Sequence, residues 1–144
     1  MLEIKVFCQG NLKEKYLKDA CDEYIKRLSA YCRLDICETK SDSPDALRET
    51  VKQFKGYKLC LCIEGKQLSS EEFAEQIEKI TNRGSSSIAL IIGGSDGIAE
   101  DIKNMCDFRL SFSKMTFPHQ LMRVILLEQV YRAFTILNNG KYHK

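Results

Sequence analysis

The feature that most constrains this chain is a short apolar run that leads into a cluster of glycines. Residues 87–92 read SIALII and predict a buried strand. Gly93, Gly94 and Gly97 follow in the segment GGSDG, where the missing side chains let another group come close to the backbone. The pattern predicts a buried strand whose end opens onto a ligand.

A second loop near the end of the chain has a related character. Residues 112–117 read FSKMTF and lead to Pro118, which suits the first turn of a helix predicted over 118–137. One glycine-rich loop and one loop at a helix N-terminus, both at predicted strand ends, favour a small-molecule site.

The remaining sequence alternates strand and helix patterns, which indicates an α/β domain with a mainly parallel sheet. We expect the other strands at 2–8, 34–38, 57–63 and 108–112 and the other helices at 12–30, 44–54, 70–83 and 98–106. Asn11 is the expected cap of the first helix, and Ser69 or Ser70 that of the third. At 144 residues and 44% hydrophobic content, we predict a single domain over residues 1–144.

The cysteines and the hydropathy of the chain indicate the cellular compartment that we expect for the protein. The chain has seven cysteines but no C-x-x-C motif, and Cys60 and Cys62 are two apart in a predicted strand, on one face rather than around a metal. We therefore expect free thiols and no metal. Arg123, Glu128 and Arg132 interrupt the longest apolar stretch, so a cytoplasmic protein without a membrane segment is predicted.

Charge is distributed unevenly along the chain, although the net charge is only +2. Residues 108–144 contain six basic side chains and a single acidic one, Glu128. This part of the chain fits an approaching polyanion. A solvated basic helix face explains the same pattern equally well, so charge alone does not choose between the two.

The last predicted helix is apolar on two sides. One side carries Leu121, Val124, Ile125, Leu127, Tyr131 and Phe134, and the other carries Met122, Leu126, Val130, Ala133 and Leu137. Because one sheet cannot bury both sides, we predict a homodimer that covers the second side. The alternative is a central helix wrapped by its own chain, for which so short a chain has little material.

Several segments together resemble a known family. They are IGGSDG, LSFSKMTFPHQLMRVILLEQVYRAF and the terminal YHK, with MLEIKVFCQGNLKEKYLKDACDEYIKRL at the start and LCIEGKQLSSEEFA in the middle. They are similar to the SPOUT methyltransferases that modify N3 of pseudouridine in 23S ribosomal RNA. Only the part around 37–57 differs, where this chain is shorter. The resemblance implies an α/β knot with helices on both faces of the sheet and a C-terminal trefoil knot, whereas connectivity alone predicts an unknotted sheet.

The resemblance also implies a cofactor, S-adenosylmethionine, and the residues that hold it. These are Leu61, Gly93, Phe112, Ser113, Lys114, Met115, Thr116 and Phe117. Taken alone, Leu61 would be assigned to the core. The GGSDG segment does not match the dinucleotide pattern G-x-G-x-x-G, and Asp96 within it is expected to form the turn.

Candidates for catalysis lie in the last helix and in the tail. Arg123, Tyr142 and His143 are the predicted catalytic residues, and Lys144 completes the tail. The acceptor nitrogen must lose a proton, which a base or a favourable positive charge assists. An aromatic ring, an imidazole and an ammonium can stack on a base, titrate and pair with phosphate. The identity of the base is left open, and His119 is expected to have a structural role.

The leading hypothesis is an S-adenosylmethionine-dependent methyltransferase that acts as a homodimer on 23S rRNA within assembled ribosomes. A chain without a separate RNA-binding domain and with a modest basic area needs a preshaped target. One alternative is a non-catalytic ribosome- or RNA-binding protein with this fold, which cofactor binding would distinguish. Another is a SPOUT methyltransferase that acts on transfer RNA.

Overall fold

The computed structural model describes residues 1–143, within which five strands alternate with five helices. The elements in chain order are β1 Glu3–Cys8, α1 Lys15–Leu28, β2 Arg33–Glu38, α2 Pro44–Gln53, β3 Tyr57–Gln67, α3 Ser70–Asn82, β4 Ser87–Ile92, α4 Glu100–Asn104, β5 Phe108–Ser111 and α5 His119–Leu137. Every element expected from the sequence is present, so the predicted alternation is confirmed.

The five strands form one parallel sheet in the order β2-β1-β4-β3-β5. On one face, Ile88, Leu90 and Ile92 of β4 pack in a core with α1, α3 and α5. On the other face, Ala89 and Ile91 pack with α2 and α4. The predicted α/β class, with a parallel sheet covered on both faces, is therefore confirmed. The carboxyl ends of all strands meet at one edge, where ligands of such sheets bind.

Helix α1 begins later than predicted, at Lys15 instead of residue 12, and Asn11 is not its cap. Glu14 occupies the cap position without a side-chain hydrogen bond to the helix. The backbone before it is drawn toward β2, because Leu12 N donates to Glu38 Oε2 over 2.7 Å and Gly10 N donates to Thr39 Oγ1 over 2.8 Å. These long-range bonds replace the local cap that the sequence indicated.

Strand β3 is longer than the predicted 57–63. Its pairing with β5 shifts register, so that Leu61 and Lys66 both lie opposite Leu110, and residues 62–65 form an excursion at the sheet edge. A Cβ atom at Gly65 would lie 2.7 Å from the carbonyl oxygen of Arg109, so the close crossing requires glycine. Periodicity cannot reveal such an irregularity, because it depends on the neighbouring strand.

Helices α2 and α3 begin where the sequence indicated. The Ser43 hydroxyl accepts a hydrogen bond from Asp45 N, and Ser69 forms a capping box with Glu72. Although the segment around α2 is the one that differs from the resembled family, α2 still covers the sheet. Leu47, on its inner side, is fully buried.

Helix α5 packs between α1 and α3 on one face of the sheet. Its buried apolar residues are Leu126, Leu127, Val130, Ala133 and Phe134. Leu121 in its first turn is 38% exposed, and Val124 and Ile125 are half-buried. The chain itself thus covers much of one side of the helix, and burial of the rest by a second copy stays a prediction.

The seven cysteines are free thiols. Within residues 1–143, no helix is both long and apolar enough to span a membrane. Over the same residues, no three His, Cys, Asp or Glu side chains are grouped in a way that could hold a metal ion.

Candidate functional site

A cleft of about 740 Å³ lies at the carboxyl ends of β3, β4 and β5. Its three walls are residues 61–64 of β3, the glycine turn at 92–98 and the segment that joins β5 to α5. The volume is in the range of small-molecule sites. The structure thus brings together the two loops that the sequence singled out.

The glycine turn closes tightly on itself. Gly97 N donates to the carbonyl oxygen of Gly94 over 3.0 Å, and Gly97 has a φ of +80°, which favours glycine. A Cβ atom at Gly93 would lie 2.4 Å from the carbonyl carbon of Gly97. Asp96 is exposed within the turn, as expected of a turn-forming residue. The bare backbone of the turn therefore forms one wall of the cleft.

The loop between β2 and α2 contacts this turn through Asp42. Ser95 Oγ donates to Asp42 Oδ2 over 3.2 Å, and Gln9 Nε2 donates to the Asp42 carbonyl oxygen over 2.6 Å. A Cβ atom at Gly94 would lie only 2.1 Å from Asp42 Oδ1. Asp42 was not among the predicted site residues, because no short sequence pattern predicts its contact with Ser95, which lies more than fifty residues further along the chain.

The loop between β5 and α5 is organised by two serines. Ser111 Oγ donates to the Ser113 carbonyl oxygen over 3.0 Å, and Ser113 Oγ accepts from Met115 N over 3.0 Å. Seven of the eight predicted cofactor residues line the cleft, namely Leu61, Gly93, Phe112, Ser113, Met115, Thr116 and Phe117. Lys114 is exposed and does not line the cleft.

The excursion of β3 supplies residues to the cleft that sequence reasoning did not find. Glu64 and Lys103 form an ion pair at the cleft. The hydrogen bond from Lys103 lowers the pKa of the Glu64 carboxyl. Cys62 also lines the cleft, and burial raises the pKa of its thiol to about 11. The β3–β5 register shift brings Cys62 and Glu64 to the cleft, and Lys103 reaches Glu64 from α4.

Arg123 does not line the cleft. Its side chain is 1% exposed, and it forms an ion pair with Glu38 while Nη2 donates to the Gly10 carbonyl oxygen over 2.8 Å. Its Nε atom has no hydrogen-bond partner in the described part of the chain. The guanidinium ties α5 to the ends of β1 and β2, whereas His119, one turn earlier, does line the cleft.

Tyr142 and His143 lie on the outer side of α5, away from the cleft. His143 pairs with Glu71 at the start of α3. The neighbouring residue Ser70 lines a second cavity of about 350 Å³, which shares Phe112 and Phe117 with the cleft. Phe112 and Phe117 therefore line both cavities. The third predicted tail residue, Lys144, lies outside the described residues.

Comparison with known families and curated proteins gives a consistent result. The family model described as "Predicted SPOUT methyltransferase" matches residues 2–143. Proteins named "Ribosomal RNA large subunit methyltransferase H" from Clostridium novyi (strain NT) and Clostridioides difficile (strain 630) are 49% and 45% identical, and the alignments cover 99% of this chain and 100% of each relative. Each alignment spans 159 positions, more than the 144 residues of this chain, which is therefore shorter than its relatives.

Solved structures with the same fold share little sequence with this chain. A probable methylase family protein from Haemophilus influenzae Rd KW20 matches with a TM-score of 0.61 and 14% identity, over 100% of this chain and 72% of that one. The SpoU methyltransferase AviRb from Streptomyces viridochromogenes, in complex with AdoMet, matches with a TM-score of 0.55 and 11% identity, over 97% of this chain and 59% of that one. At such identities these matches establish the fold alone.

Proposed function

Because the chain belongs to the SPOUT methyltransferase family, we propose that it methylates N3 of pseudouridine 1915 in 23S rRNA with S-adenosylmethionine as the donor. The observation that carries this proposal is the cleft, in which the glycine turn and the loop before α5 come together. The names of the relatives, which cover the whole chain, support ribosomal RNA as the substrate class.

The residues of the cleft fit the proposed cofactor. Leu61 and Phe112 offer apolar surface for an adenine ring, and the glycine turn and serine loop present backbone donors and acceptors. A Cβ atom at Gly93 would clash with the backbone of Gly97, so the turn has no room for a side chain there. When bound, S-adenosylmethionine supplies an activated methyl group on a positively charged sulfur. The chain's contribution is to align donor and acceptor.

The acceptor nitrogen requires the loss of a proton as its bond to the methyl carbon forms. We assign Tyr142 and His143 to the acceptor nucleoside, since a phenol ring can stack on a base and an imidazole can take up a proton. Arg123 is engaged with Glu38, so its part in the reaction is to position α5, whose first residues line the cleft.

Four further properties belong to the proposal. The protein acts as a homodimer, supported by the half-buried apolar residues of α5 and by the exposed Leu121. The two chains build the site jointly, so that the tail of one copy reaches the cleft of the other. The C-terminal helix α5 is threaded through a loop and so makes a trefoil knot, as in the family. A ribosomal substrate also implies a cytoplasmic protein.

A transfer assay with labelled methyl donor tests the substrate. Purified protein is incubated with assembled ribosomes lacking this modification and, separately, with bulk transfer RNA. We expect label in 23S rRNA only, and mass mapping of 23S rRNA from cells with and without the protein should place the methyl group on one pseudouridine. Label in transfer RNA alone would show that the substrate is transfer RNA and not 23S rRNA. Saturable RNA binding without any label would refute catalysis.

A further inference from the structure

The tail folds back onto α5 instead of leaving the surface. Asn139 has a φ of +58°, and Gly140 N donates to the Thr135 carbonyl oxygen over 2.6 Å. A Cβ atom at Gly140 would lie 3.1 Å from the same oxygen, closer than an ordinary contact, so the tail packs tightly on the end of α5 at this point. This reversal directs Tyr142 and His143 back along the helix.

Glu128 of α5 holds the first half of the tail. Its Oε2 atom accepts a hydrogen bond from the Tyr142 hydroxyl over 2.8 Å, and its Oε1 atom accepts from Arg132 Nε over 2.7 Å. The Tyr142 ring packs edge-on against Tyr131 with centroids 4.9 Å apart, and the guanidinium carbon of Arg132 lies 4.8 Å from the Tyr142 centroid. The aromatic part of the tail is thereby fixed in position.

His143 lies between a donor and an acceptor. Its Nδ1 atom is 3.0 Å from Arg132 Nη1, and its Nε2 atom pairs with Glu71 Oε1. A guanidinium has only donors, so Nδ1 must accept, and the hydrogen of the neutral ring is then on Nε2, which donates to Glu71. The hydrogen bond with His143 lowers the pKa of the Glu71 carboxyl. Arg132 at Nδ1 and the Glu71 carboxylate at Nε2 thus select the same tautomer of the imidazole.

Glu71 also determines where the imidazole lies. It follows Ser70, whose hydroxyl donates to Gln129 Oε1 over 2.7 Å at the second cavity. That cavity shares Phe112 and Phe117 with the cleft. The carboxylate therefore holds the imidazole at the start of α3, and the tail is held from α3 as well as from α5.

We propose that Glu71 is a positioning residue, which keeps His143 in the Nε2–H tautomer and leaves the Nδ1 lone pair to receive the proton from the acceptor nitrogen. This inference rests on the proposed function, which assigns His143 to the nucleoside. An RNA phosphate that draws Arg132 away frees the lone pair. On proton uptake the ring becomes a cation, which the Glu71 carboxylate stabilises until the proton passes to water.

Substitutions at Glu71 test the kinetic consequence. Glu71→Ala removes the acceptor of the Nε2 hydrogen, so we expect kcat on ribosomes to fall roughly tenfold or more. Cofactor affinity, measured by calorimetry, should stay within about twofold, because Glu71 does not line the cleft. Glu71→Gln retains an acceptor oxygen and should restore part of the loss. Glu75→Ala, at an exposed position one turn further along α3, is the matched control and should behave as wild type.

Imidazole nitrogen shifts measured by NMR test the contact without any turnover. The chain has two histidines, so His119 serves as the internal reference. We expect the Nε2–H pattern for His143 in the wild type and in Arg132→Ala, where Glu71 alone fixes the tautomer, and a shift toward the other tautomer when Arg132→Ala is combined with Glu71→Ala. An unchanged His143 pattern in the double variant, or an unchanged kcat in Glu71→Ala, would overturn the inference. Failure of the wild type to methylate rRNA would instead contradict the proposed function.

Discussion

Arg123 of α5 and Glu38 at the end of β2 form an ion pair beneath the loop that follows β1. The Arg123 side chain is 1% exposed and that of Glu38 is 34% exposed. The same Glu38 oxygen accepts a hydrogen bond from Leu12 N, and Arg123 also donates to Gly10 O. One charge pair thus links the sheet edge, the β1–α1 loop and the helix that begins at the cleft.

Replacing Arg123 by methionine should destabilise the fold. Glu38, whose side chain is 34% exposed, would lose its charged partner, and we expect the free energy of unfolding to fall by about 2 kcal/mol, measured by urea denaturation. The double change Arg123→Met with Glu38→Met removes both charges and should recover part of the loss. A decrease below about 1 kcal/mol in the single variant would show that the pair has little structural role.

Glycine 93 should be essential for cofactor binding. In Gly93→Ala, the new Cβ would lie 2.4 Å from Gly97 backbone, so the turn must move, and we expect affinity for S-adenosylmethionine to fall about tenfold or more by calorimetry. Gly84→Asn, outside the cleft, is the control, because no atom lies near the added Cβ and asparagine tolerates positive φ. Equal affinities of the two variants would contradict this role for Gly93.

Deletion of the tail should separate binding from turnover. A chain ending at residue 141 lacks Tyr142, His143 and Lys144, and we expect no detectable methylation of ribosomes. Binding of S-adenosylmethionine should be retained, because the described tail residues do not line the cleft. The tail assignment fails if the truncated protein turns over at the wild-type rate.

The oligomeric state depends on the exposed side of α5. Leu121 is an apolar residue 38% exposed in the first turn of the helix, so Leu121→Glu should place a charge in the proposed interface and produce monomers in analytical ultracentrifugation. Ala46→Glu is the control, at an exposed position of α2 on the opposite face of the sheet. A monomeric wild type, or an unaffected Leu121→Glu dimer, would contradict the interface.

The thiol of Cys62 should report on occupancy of the cleft. Burial raises its pKa to about 11, so the reactive thiolate is scarce at neutral pH and increases about tenfold for each pH unit up to that value. We expect iodoacetamide to label Cys62 slowly at pH 7.5 and faster at pH 9.5, with S-adenosylmethionine suppressing the reaction. Peptide mass mapping measures this, and labelling insensitive to the cofactor would place the binding site elsewhere.

Local patterns were sufficient for the secondary structure. The apolar run at 87–92 became the central strand, and the serine caps before α2 and α3 began the helices as expected. Such signals are reliable because backbone conformation and side-chain burial are coupled within a few residues. The prediction that Asn11 caps α1 was wrong. The next residue, Leu12, donates its backbone N–H to Glu38, which is distant in the sequence.

Neighbouring residues were enough to predict the parallel α/β alternation, the glycine turn and the loop at 112–117, because each is encoded locally. Tertiary packing alone buries Arg123 against Glu38, leaves Lys114 outside the lining of the cleft, and brings Glu64 and Lys103 together there. It also placed His143 against Glu71, across a separation of 72 residues. The periodicity of the sequence cannot predict these contacts, because the strand order and the register shift between β3 and β5 decide which elements meet.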